Sequence, residues 1–168
     1  ESEIKENLFA KKSLKILNKS ALHSVSWFRI VLDESHIIKD KNRSTSKAIF
    51  GLCSLYKLCL TGTPLQNKVG ELFSQIRFLK LDPYSYYVCR KNGCECKSLH
   101  YKFDNERRLC EDCLHSSIMH TCIFNREILN PILKSGYIGE GKMALIKLKK
   151  DVLDKVLLRR TKEMRSKD

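Results

Sequence analysis

The sequence predicts an α/β fold in which helices alternate with the strands of a parallel sheet. Two short apolar runs, at residues 27–33 and 56–60, are typical of buried strands. Each run is followed by a segment in which apolar residues recur at helical spacing, and this alternation favours parallel pairing. Both runs end in polar residues, DESH and TGT, at the position where ligands of parallel sheets bind.

The first predicted elements follow from composition and from capping residues. Residues 1–22 are rich in lysine and glutamate and carry a patchy helical period, which predicts a helical lead-in over 1–26. The first strand ends in acids, and a basic loop follows at 39–43. Ser44 is a suitable N-cap for a helix that runs to about Leu52.

The later elements include one segment of a different character. Apolar spacing predicts a helix from about Val69 to Leu79, and the Asp82-Pro83 pair ends it. Helical spacing resumes near residue 124, and a last amphipathic helix is predicted from about Lys142 to Glu163. The predicted division is a lead-in (1–26), a sheet-bearing portion (27–83), a Cys/His-rich insertion (84–122) and a helical end (123–168).

Composition limits the class of protein. The chain has 168 residues and an apolar fraction of 42%, which suits one globular domain with a real core. Its formal net charge is +13, and the basic residues cluster, which favours an anionic partner such as nucleic acid over a merely solvated surface. No apolar run is long enough to span a bilayer, so no membrane partner is expected.

The cysteines indicate a metal site rather than disulfide bonds. There are 8 cysteines. Cys53 and Cys59 lie in apolar runs and are interpreted as core thiols, while the others crowd between Cys89 and Cys122. The absence of a secretory signal segment and the nucleic-acid-like charge favour a reducing compartment, where such clusters bind zinc.

The spacing predicts one structural zinc site formed by two short ligand pairs. Zinc takes four thiolate or imidazole ligands in a tetrahedron. The first choice of ligands is Cys94, Cys96, Cys110 and Cys113, and the substitutes are Cys89, His115 and His120. Unpaired thiols are the alternative, and a catalytic zinc is disfavoured because no acid suited to activating water is evident nearby. Cys122 is interpreted as a core residue.

The VLDESH stretch has two interpretations. Asp33 and Glu34 either mark the point where a strand meets water, or they hold a magnesium ion and activate a water molecule. Neighbouring residues of a strand point to opposite sides, so the two acids can perform different tasks. His36 is expected to bond to Thr61 or Thr63 at the end of the next strand.

Three stretches together resemble a known family. VLDESH, the downstream LTGTPLQN and the terminal LLRRTK are similar to motifs of the SWI/SNF-type, superfamily-two helicase-like DNA translocases. The resemblance extends from about Leu22 to Lys162. LHSVSWFRIVLDE, the following IKD, RFL and DP, and the Cys-rich insertion most resemble the RING-bearing ATPases of global-genome nucleotide excision repair in fungi and plants. Ser35 departs from the family, in which alanine is usual.

The resemblance implies roles for residues around the nucleotide. Asp33 would coordinate magnesium, Glu34 would be the catalytic base, and His36 would couple the nucleotide site to the third motif. That motif corresponds to Thr61, Gly62 and Thr63, which with the two acids would bind the cofactors ATP and Mg²⁺.

The resemblance also implies contacts with DNA and between ATPase lobes. Arg159 and Arg160 resemble the link between the two lobes, and Gln66 and Asn67 complete the family signature. The basic residues after the acid pair either approach DNA phosphate or form a solvated loop; they are Lys39, Lys41 and Arg43.

One family feature is missing from the sequence. It contains no GxxxxGK[ST] loop, whose amides and lysine cradle nucleotide phosphates. The resemblance therefore implies the later half of a RecA-like ATPase lobe (27–83) with a zinc-binding insertion, followed at 123–168 by the end of the lobe and the start of the interlobe linker. The chain alone is expected neither to bind ATP tightly nor to hydrolyse it.

Two classes of function follow. The first is a fragment of a nuclear, DNA-dependent ATPase that moves on duplex DNA, remodels chromatin and serves nucleotide excision repair with other repair-complex proteins. The second is a non-catalytic zinc-binding interaction module on an ATPase-like scaffold. An RNA helicase is disfavoured because LTGTPLQN and LLRRTK differ from the usual SAT-type third motif.

Overall fold

A two-stranded parallel sheet and a three-stranded antiparallel sheet organise the computed structural model. It describes residues 20–40, 43–63, 69–100, 102–104, 108–160 and 164. The elements of the first half are α1 (Ala21–Ser24), β1 (Ser26–Leu32), a 3₁₀ segment (Ser35–Lys39), α2 (Ser44–Phe50), β2 (Cys53–Cys59) and α3 (Val69–Leu79). The predicted α/β class with a parallel sheet is confirmed.

The second half holds the small sheet and the terminal helices. Its elements are β3 (Tyr87–Cys89), β4 (Lys97–Ser98), a 3₁₀ segment (Ser117–Met119), β5 (His120–Cys122), a π-type turn (Asn125–Leu129), α4 (Asn130–Ser135), α5 (Gly139–Lys147), a second π-type segment (Leu148–Leu153) and α6 (Asp154–Val156). No helix among the described residues has both the length and the apolar character needed to cross a bilayer.

Among the residues that the structure describes, the parallel strands are covered on one face only. Ile30, Leu32 and Cys59 pack against a small cluster formed by Ile38, Phe50 and Phe78. The opposite face is open, since paired residues such as Val31 and Leu58 are both 47% exposed. The prediction of fully buried strands is therefore wrong within the described residues, and so is the core assignment of Cys53, which is exposed.

The main core surrounds α3. Leu72, Phe73 and Ile76 are buried as predicted, but burial is continuous from Leu72 to Phe78 and is not limited to one face of α3. The helix has the predicted bounds. The buried members of this core are Leu72, Phe73, Ile76, Tyr84, Cys122, Phe124, Ile128, Leu148 and Val152. Both ends of the Cys/His-rich segment, Tyr84 and Cys122, thus contribute to the core, as expected for Cys122.

Antiparallel pairing closes the base of the Cys/His-rich segment. In β3 and β5, Tyr87 pairs with Cys122 and Cys89 pairs with His120. The intervening chain therefore leaves the core and returns to it at neighbouring points. The division of the chain at residues 84 and 122 stays a prediction.

Arg77 joins α3 to this segment from a buried position. Its Nη2 donates hydrogen bonds to the carbonyl oxygen of Leu99 at 2.5 Å and to His100 Nδ1 at 3.1 Å. The guanidinium also lies 4.9 Å from the ring centre of Phe50. Burial lowers the pKa of Arg77, and burial together with the Arg77 charge lowers the pKa of His100. One arginine thus connects the core, the α2 helix and the Cys/His-rich segment.

Replacing Arg77 with alanine is expected to lower the free energy of unfolding by about 2 kcal/mol. The change removes hydrogen bonds to a buried charge and leaves space beside aromatic rings. Chemical denaturation measures the effect. Arg160→Ala, at an exposed position, is the control and should change stability by less than about 0.5 kcal/mol. Equal effects of the two substitutions would contradict the connecting role.

The last helical region is shorter than predicted. It ends at Val156, because Leu157 has extended backbone angles. Beyond Val152 the apolar side chains lack a buried environment, and Leu158 is 78% exposed. The remainder of the predicted helix, at 161–163, lies outside the described residues, as do residues 1–19 of the lead-in.

An ion pair connects the turn before α4 to α5. Lys147 Nζ donates to Glu127 Oε2 at 2.5 Å, and Arg126 Nη2 donates to Glu127 Oε1 at 2.6 Å. These hydrogen bonds lower the pKa of Glu127 below its ordinary value, and the bond from Lys147 has the largest effect.

This lowered pKa predicts a pH-dependent contribution to stability. Glu127→Gln is expected to lower the unfolding free energy by about 0.5–1 kcal/mol near neutral pH. Because the folded-state pKa is depressed, the wild-type advantage is full above the ordinary value of 4.5 and declines as pH falls through the folded-state pKa. Denaturation at several pH values measures it, with the exposed Glu140→Gln as control. A difference that persisted unchanged well below pH 4 would rule the pair out as its cause.

Candidate functional site

The carboxyl ends of β1 and β2 converge. Leu60 N–H donates to the Leu32 carbonyl oxygen at 2.8 Å, and Ser35 N–H donates to the Leu60 carbonyl oxygen at 2.9 Å. These bonds extend the parallel ladder beyond both strands. The acid pair that follows β1 and the TGT turn that follows β2 therefore lie at the same edge of the sheet.

The two acids are exposed and have different backbone conformations. Asp33 Oδ1 accepts a hydrogen bond from Glu34 N–H at 2.8 Å, and within the described part of the chain Asp33 forms no ion pair. Glu34 has φ 47° and ψ 46°, in the left-handed region that residues other than glycine rarely adopt. Such strain clusters at functional sites.

His36 connects the acid pair with the turn after β2. Its Nδ1 lies 3.1 Å from Glu34 Oε2 and 3.4 Å from Thr61 Oγ1. Thr61 Oγ1 also accepts a hydrogen bond from Thr63 N–H at 3.2 Å. Gly62, between them, has open space where a Cβ would stand. The structure thus brings Glu34, His36 and Thr61 into one chain of contacts.

Ser35 is buried next to these groups. It is 1% exposed, and its hydroxyl has no hydrogen-bond partner of ordinary geometry among the described residues. The pKa of the neighbouring Cys59 thiol is raised mainly by burial.

Of the predicted basic and signature residues, the structure describes Lys39, Arg43, Arg159 and Arg160. Lys39 and Arg43 are exposed, and Arg43 Nε lies 3.7 Å from Asp40 Oδ2. Arg159 and Arg160 are exposed on the extended chain after α6. The remaining predicted residues, Lys41, Gln66 and Asn67, lie outside the described part of the chain.

The Cys/His-rich segment forms two groups of candidate metal ligands. One ligand atom from each member lies within 4.8 Å of those of the other members of its group. The first group is Cys89, Cys94, Cys113 and His115, and the second is Cys96, Cys110, Cys113 and His120. Cys113 belongs to both. The predicted first-choice set is divided between the groups, and all three predicted substitutes are included.

Tight turns present these ligands. Cys94 N–H donates to the Lys91 carbonyl oxygen at 3.0 Å, and Gly93 within this turn has φ 77°, which glycine adopts readily. Leu114 N–H donates to the Cys110 carbonyl oxygen at 2.9 Å, and Leu114 has a φ of 58°. Both turns fold short stretches of chain around their sulfur atoms.

The surroundings of the thiols shift the pKa values of three of these cysteines. Burial raises the pKa of Cys96 to about 11, and the neighbouring Cys110 thiol contributes. Burial also raises the pKa of Cys113. In contrast, a hydrogen bond from the Cys96 backbone lowers the pKa of Cys94. A dication would offset the burial penalty on the thiolates.

Two contributors to this region were missed from the sequence. The Ser116 carbonyl oxygen lies 3.0 Å from His120 Nδ1, and Arg77 holds the backbone at Leu99. An arginine within the apolar face of the α3 helix was a detectable signal for the second. A backbone carbonyl carries no residue-specific signal, so the first was not predictable.

The comparison with protein families now decides the relationship. Residues 10–168 match the family described as the SNF2-related domain. The chain belongs to this family. ATP-dependent helicase rhp16 of Schizosaccharomyces pombe is 48% identical over 160 residues, which are 95% of this chain and 18% of that protein. DNA repair protein RAD5 of Candida glabrata is 48% identical over 66 residues, covering 39% of this chain and 6% of that protein.

A solved structure supports the SNF2-related fold. The SWI2/SNF2 ATPase core of Sulfolobus solfataricus, solved in complex with dsDNA, has a TM-score of 0.57 and 27% identity, covering 91% of this chain and 24% of that chain. The present chain thus spans less than a fifth of rhp16 and about a quarter of the solved ATPase core.

Proposed function

We propose that this chain is the part of an ATP-dependent DNA translocase that follows the phosphate-binding loop and carries the acid pair. The observation that carries the proposal is the convergence of the strand ends, where Leu60 bonds to both Leu32 and Ser35. It brings the Asp33–Glu34 pair and the TGT turn to the edge of a parallel sheet where ligands bind. Membership of the SNF2-related family supports ATP as that ligand.

Each residue of the edge has a proposed task. Asp33, exposed and without an ion pair among the described residues, would hold Mg²⁺ directly or through water. Glu34 would orient and deprotonate the attacking water, while Mg²⁺ neutralises phosphate charge when it is bound. His36 Nδ1 lies 3.4 Å from Thr61 Oγ1, so His36 would couple nucleotide binding to the conformation of the TGT turn.

The open face of the parallel sheet favours the interpretation that this chain is part of a larger ATPase lobe. Parallel sheets are covered on both faces in proteins, yet Val31 and Leu58 are both 47% exposed here. We infer that further elements of the complete protein cover this face and supply the phosphate loop that the 168 residues lack.

Duplex DNA is the proposed partner of the complete protein. The net charge of +13 supports it, and the solved relative is an SWI2/SNF2 ATPase core in complex with dsDNA. Lys39, Lys41 and Arg43 are proposed phosphate contacts, and Arg159 and Arg160 are proposed to link the two lobes or to bind phosphate. Binding through phosphates is salt-dependent and nearly independent of sequence.

We further propose nucleotide excision repair in the nucleus as the cellular setting, with chromatin and other repair-complex proteins as partners. The DNA-repair names of relatives such as RAD5 support a setting in DNA repair, and the resemblance of the Cys-rich sequence to the RING-bearing ATPases of global-genome nucleotide excision repair favours this pathway. Slower removal of ultraviolet lesions from untranscribed DNA, in cells lacking the gene product, is the expected result. Unchanged removal would exclude this role while leaving the ATPase proposal intact.

Zinc is the proposed structural metal of the Cys/His-rich segment. Thiols and imidazoles are the donors that zinc takes, and both groups contain four of them. Bound zinc would supply folding energy to a segment whose own buried apolar residues are few.

A direct assay tests the ATPase proposal. The purified full-length gene product is expected to hydrolyse ATP with Mg²⁺ and to be stimulated by duplex DNA, while the 168-residue chain alone shows no turnover. A full-length product that contains no phosphate loop and no ATPase activity would instead favour a non-catalytic zinc-binding interaction module.

A further inference from the structure

The ligand groups of the Cys/His-rich segment contain more donors than one zinc ion uses. Five thiols and two imidazoles supply the two four-membered groups. A single tetrahedral zinc needs four ligands. If one ion occupied the first group, then Cys96, Cys110 and His120 would remain as three unused donors gathered around a thiolate that is already bound.

Distances within both groups suit tetrahedral zinc. Two thiolates on one zinc, each about 2.3 Å from it, are separated by about 3.8 Å, and a thiolate and an imidazole nitrogen by about 3.6 Å. In the second group the sulfurs of Cys96 and Cys110 are 3.8 Å apart. In the first group Cys89 Sγ lies 3.4 Å from His115 Nδ1. Each group therefore has the dimensions of a complete site.

The shared residue stands between the groups. The Cys113 sulfur lies within 4.8 Å of the sulfurs of Cys94, Cys96 and Cys110, which belong to different groups. Its sulfur is also 3.3 Å from His120 Nε2. A thiolate has several lone pairs and can bind two metal ions at once, so one sulfur can complete both sites.

The imidazole of His120 is oriented so that one particular ring nitrogen, Nε2, can bind a metal ion. His120 Nδ1 lies 3.0 Å from the Ser116 carbonyl oxygen, to which it donates its proton, and this leaves Nε2 free beside Cys113 Sγ. Such outer hydrogen bonds fix the tautomer of zinc-binding histidines. The ring also packs edge-on against Phe103 at 5.0 Å. A histidine that was only a spare donor would not need this support.

We infer that the segment binds two zinc ions that share the Cys113 thiolate. One ion takes Cys89, Cys94 and His115, and the other takes Cys96, Cys110 and His120. This inference rests on the structural zinc proposed above and adds a second ion to it. Five thiolates, two neutral imidazoles and two dications leave a net charge of −1, so little charge remains to be solvated.

The one-residue spacing of the ligands fits this arrangement. Cys94 and Cys96 are separated by Glu95 alone, yet they belong to different groups. Two ions side by side let Cys94 and Cys96 bind different metals, whereas a single ion in either group would leave one of these two thiols without a metal.

Native mass spectrometry of the 168-residue chain, purified without chelators, is the first test. Two zinc ions per chain are expected. His115→Ala is expected to retain one ion, and His120→Ala is also expected to retain one. The exposed Cys53→Ser variant, outside both groups, is the control and should retain two.

Substitution with ¹¹³Cd tests the shared sulfur in the unmutated chain, so it does not depend on variants that fold. Two cadmium resonances are expected, and the β-protons of Cys113 should correlate with both. One metal ion per chain would overturn the inference and leave the single structural zinc standing. Two ions with Cys113 bound to only one would overturn the bridge. No metal at all would overturn the structural zinc as well.

Discussion

Replacing Glu34 with glutamine in the full-length protein is expected to lower DNA-stimulated ATP hydrolysis by about a hundredfold or more. Glutamine keeps the size of the side chain but cannot accept the proton of the attacking water, and positioned bases contribute about 10²–10⁴-fold. Glu34 stands next to Asp33 and 3.1 Å from His36 Nδ1, so its loss should leave the magnesium ligand in place. Steady-state turnover and ATP affinity are the two measurements.

The Glu140→Gln variant is the control that distinguishes loss of the catalytic base from a nonspecific effect of replacing an acid. Glu140 is an exposed acid at the start of α5, and its replacement should leave turnover within about twofold. For Glu34→Gln the loss should appear in kcat, while ATP affinity stays near the wild-type value. Wild-type turnover in this variant would remove Glu34 as the base, and a loss confined to ATP affinity would assign it to binding.

Removing zinc from the chain is expected to unfold the Cys/His-rich segment and to lower the melting temperature by about 6–12 °C. The lost metal binding is worth about 3 kcal/mol or more, and about 2–4 °C corresponds to each kcal/mol in a chain of this size. β3 and β5 join the segment to the core at Tyr87 and Cys122, so the loss should reach the packing around α3. Melting curves recorded with and without a chelator measure the effect.

Cysteine variants distinguish metal loss from an effect of the chelator itself. Cys110 is 2% exposed and belongs to the second ligand group, so Cys110→Ser should melt at a lower temperature and respond less to the chelator. Cys53→Ser, exposed and outside both groups, should behave as the wild type. If the chelator left the melting of the wild-type protein unchanged, zinc would have no structural part in this fold.

The elements with strong local patterns were predictable. The α3 helix has the predicted bounds because its apolar residues recur at helical spacing and pack into both buried clusters. The two strands were located to within a few residues. β2 begins at Cys53 rather than at residue 56, because it pairs with the first residue of β1, Ser26. Such a boundary depends on the partner strand and not on local composition.

Burial was less predictable than secondary structure. An apolar run such as WFRIVLD indicates a strand with two covered faces, but the cover must come from other parts of a protein. Among the described residues α3 and its neighbours cover one face only. The burial of Arg77 was not predicted, although its place on the apolar face of α3 was a detectable signal, and this residue is 8% exposed.

The sequence by itself determined the motif residues, the parallel α/β class and the types of metal donor, because these depend on residue identity and on short-range spacing. Only the tertiary structure decided that one face of the parallel strands is open among the described residues and that Cys94 and Cys96 belong to different ligand groups. Spacing along the chain counts residues, whereas a shared ligand depends on distances in space. Those distances are set by turns and by strand pairing that join residues far apart in the sequence.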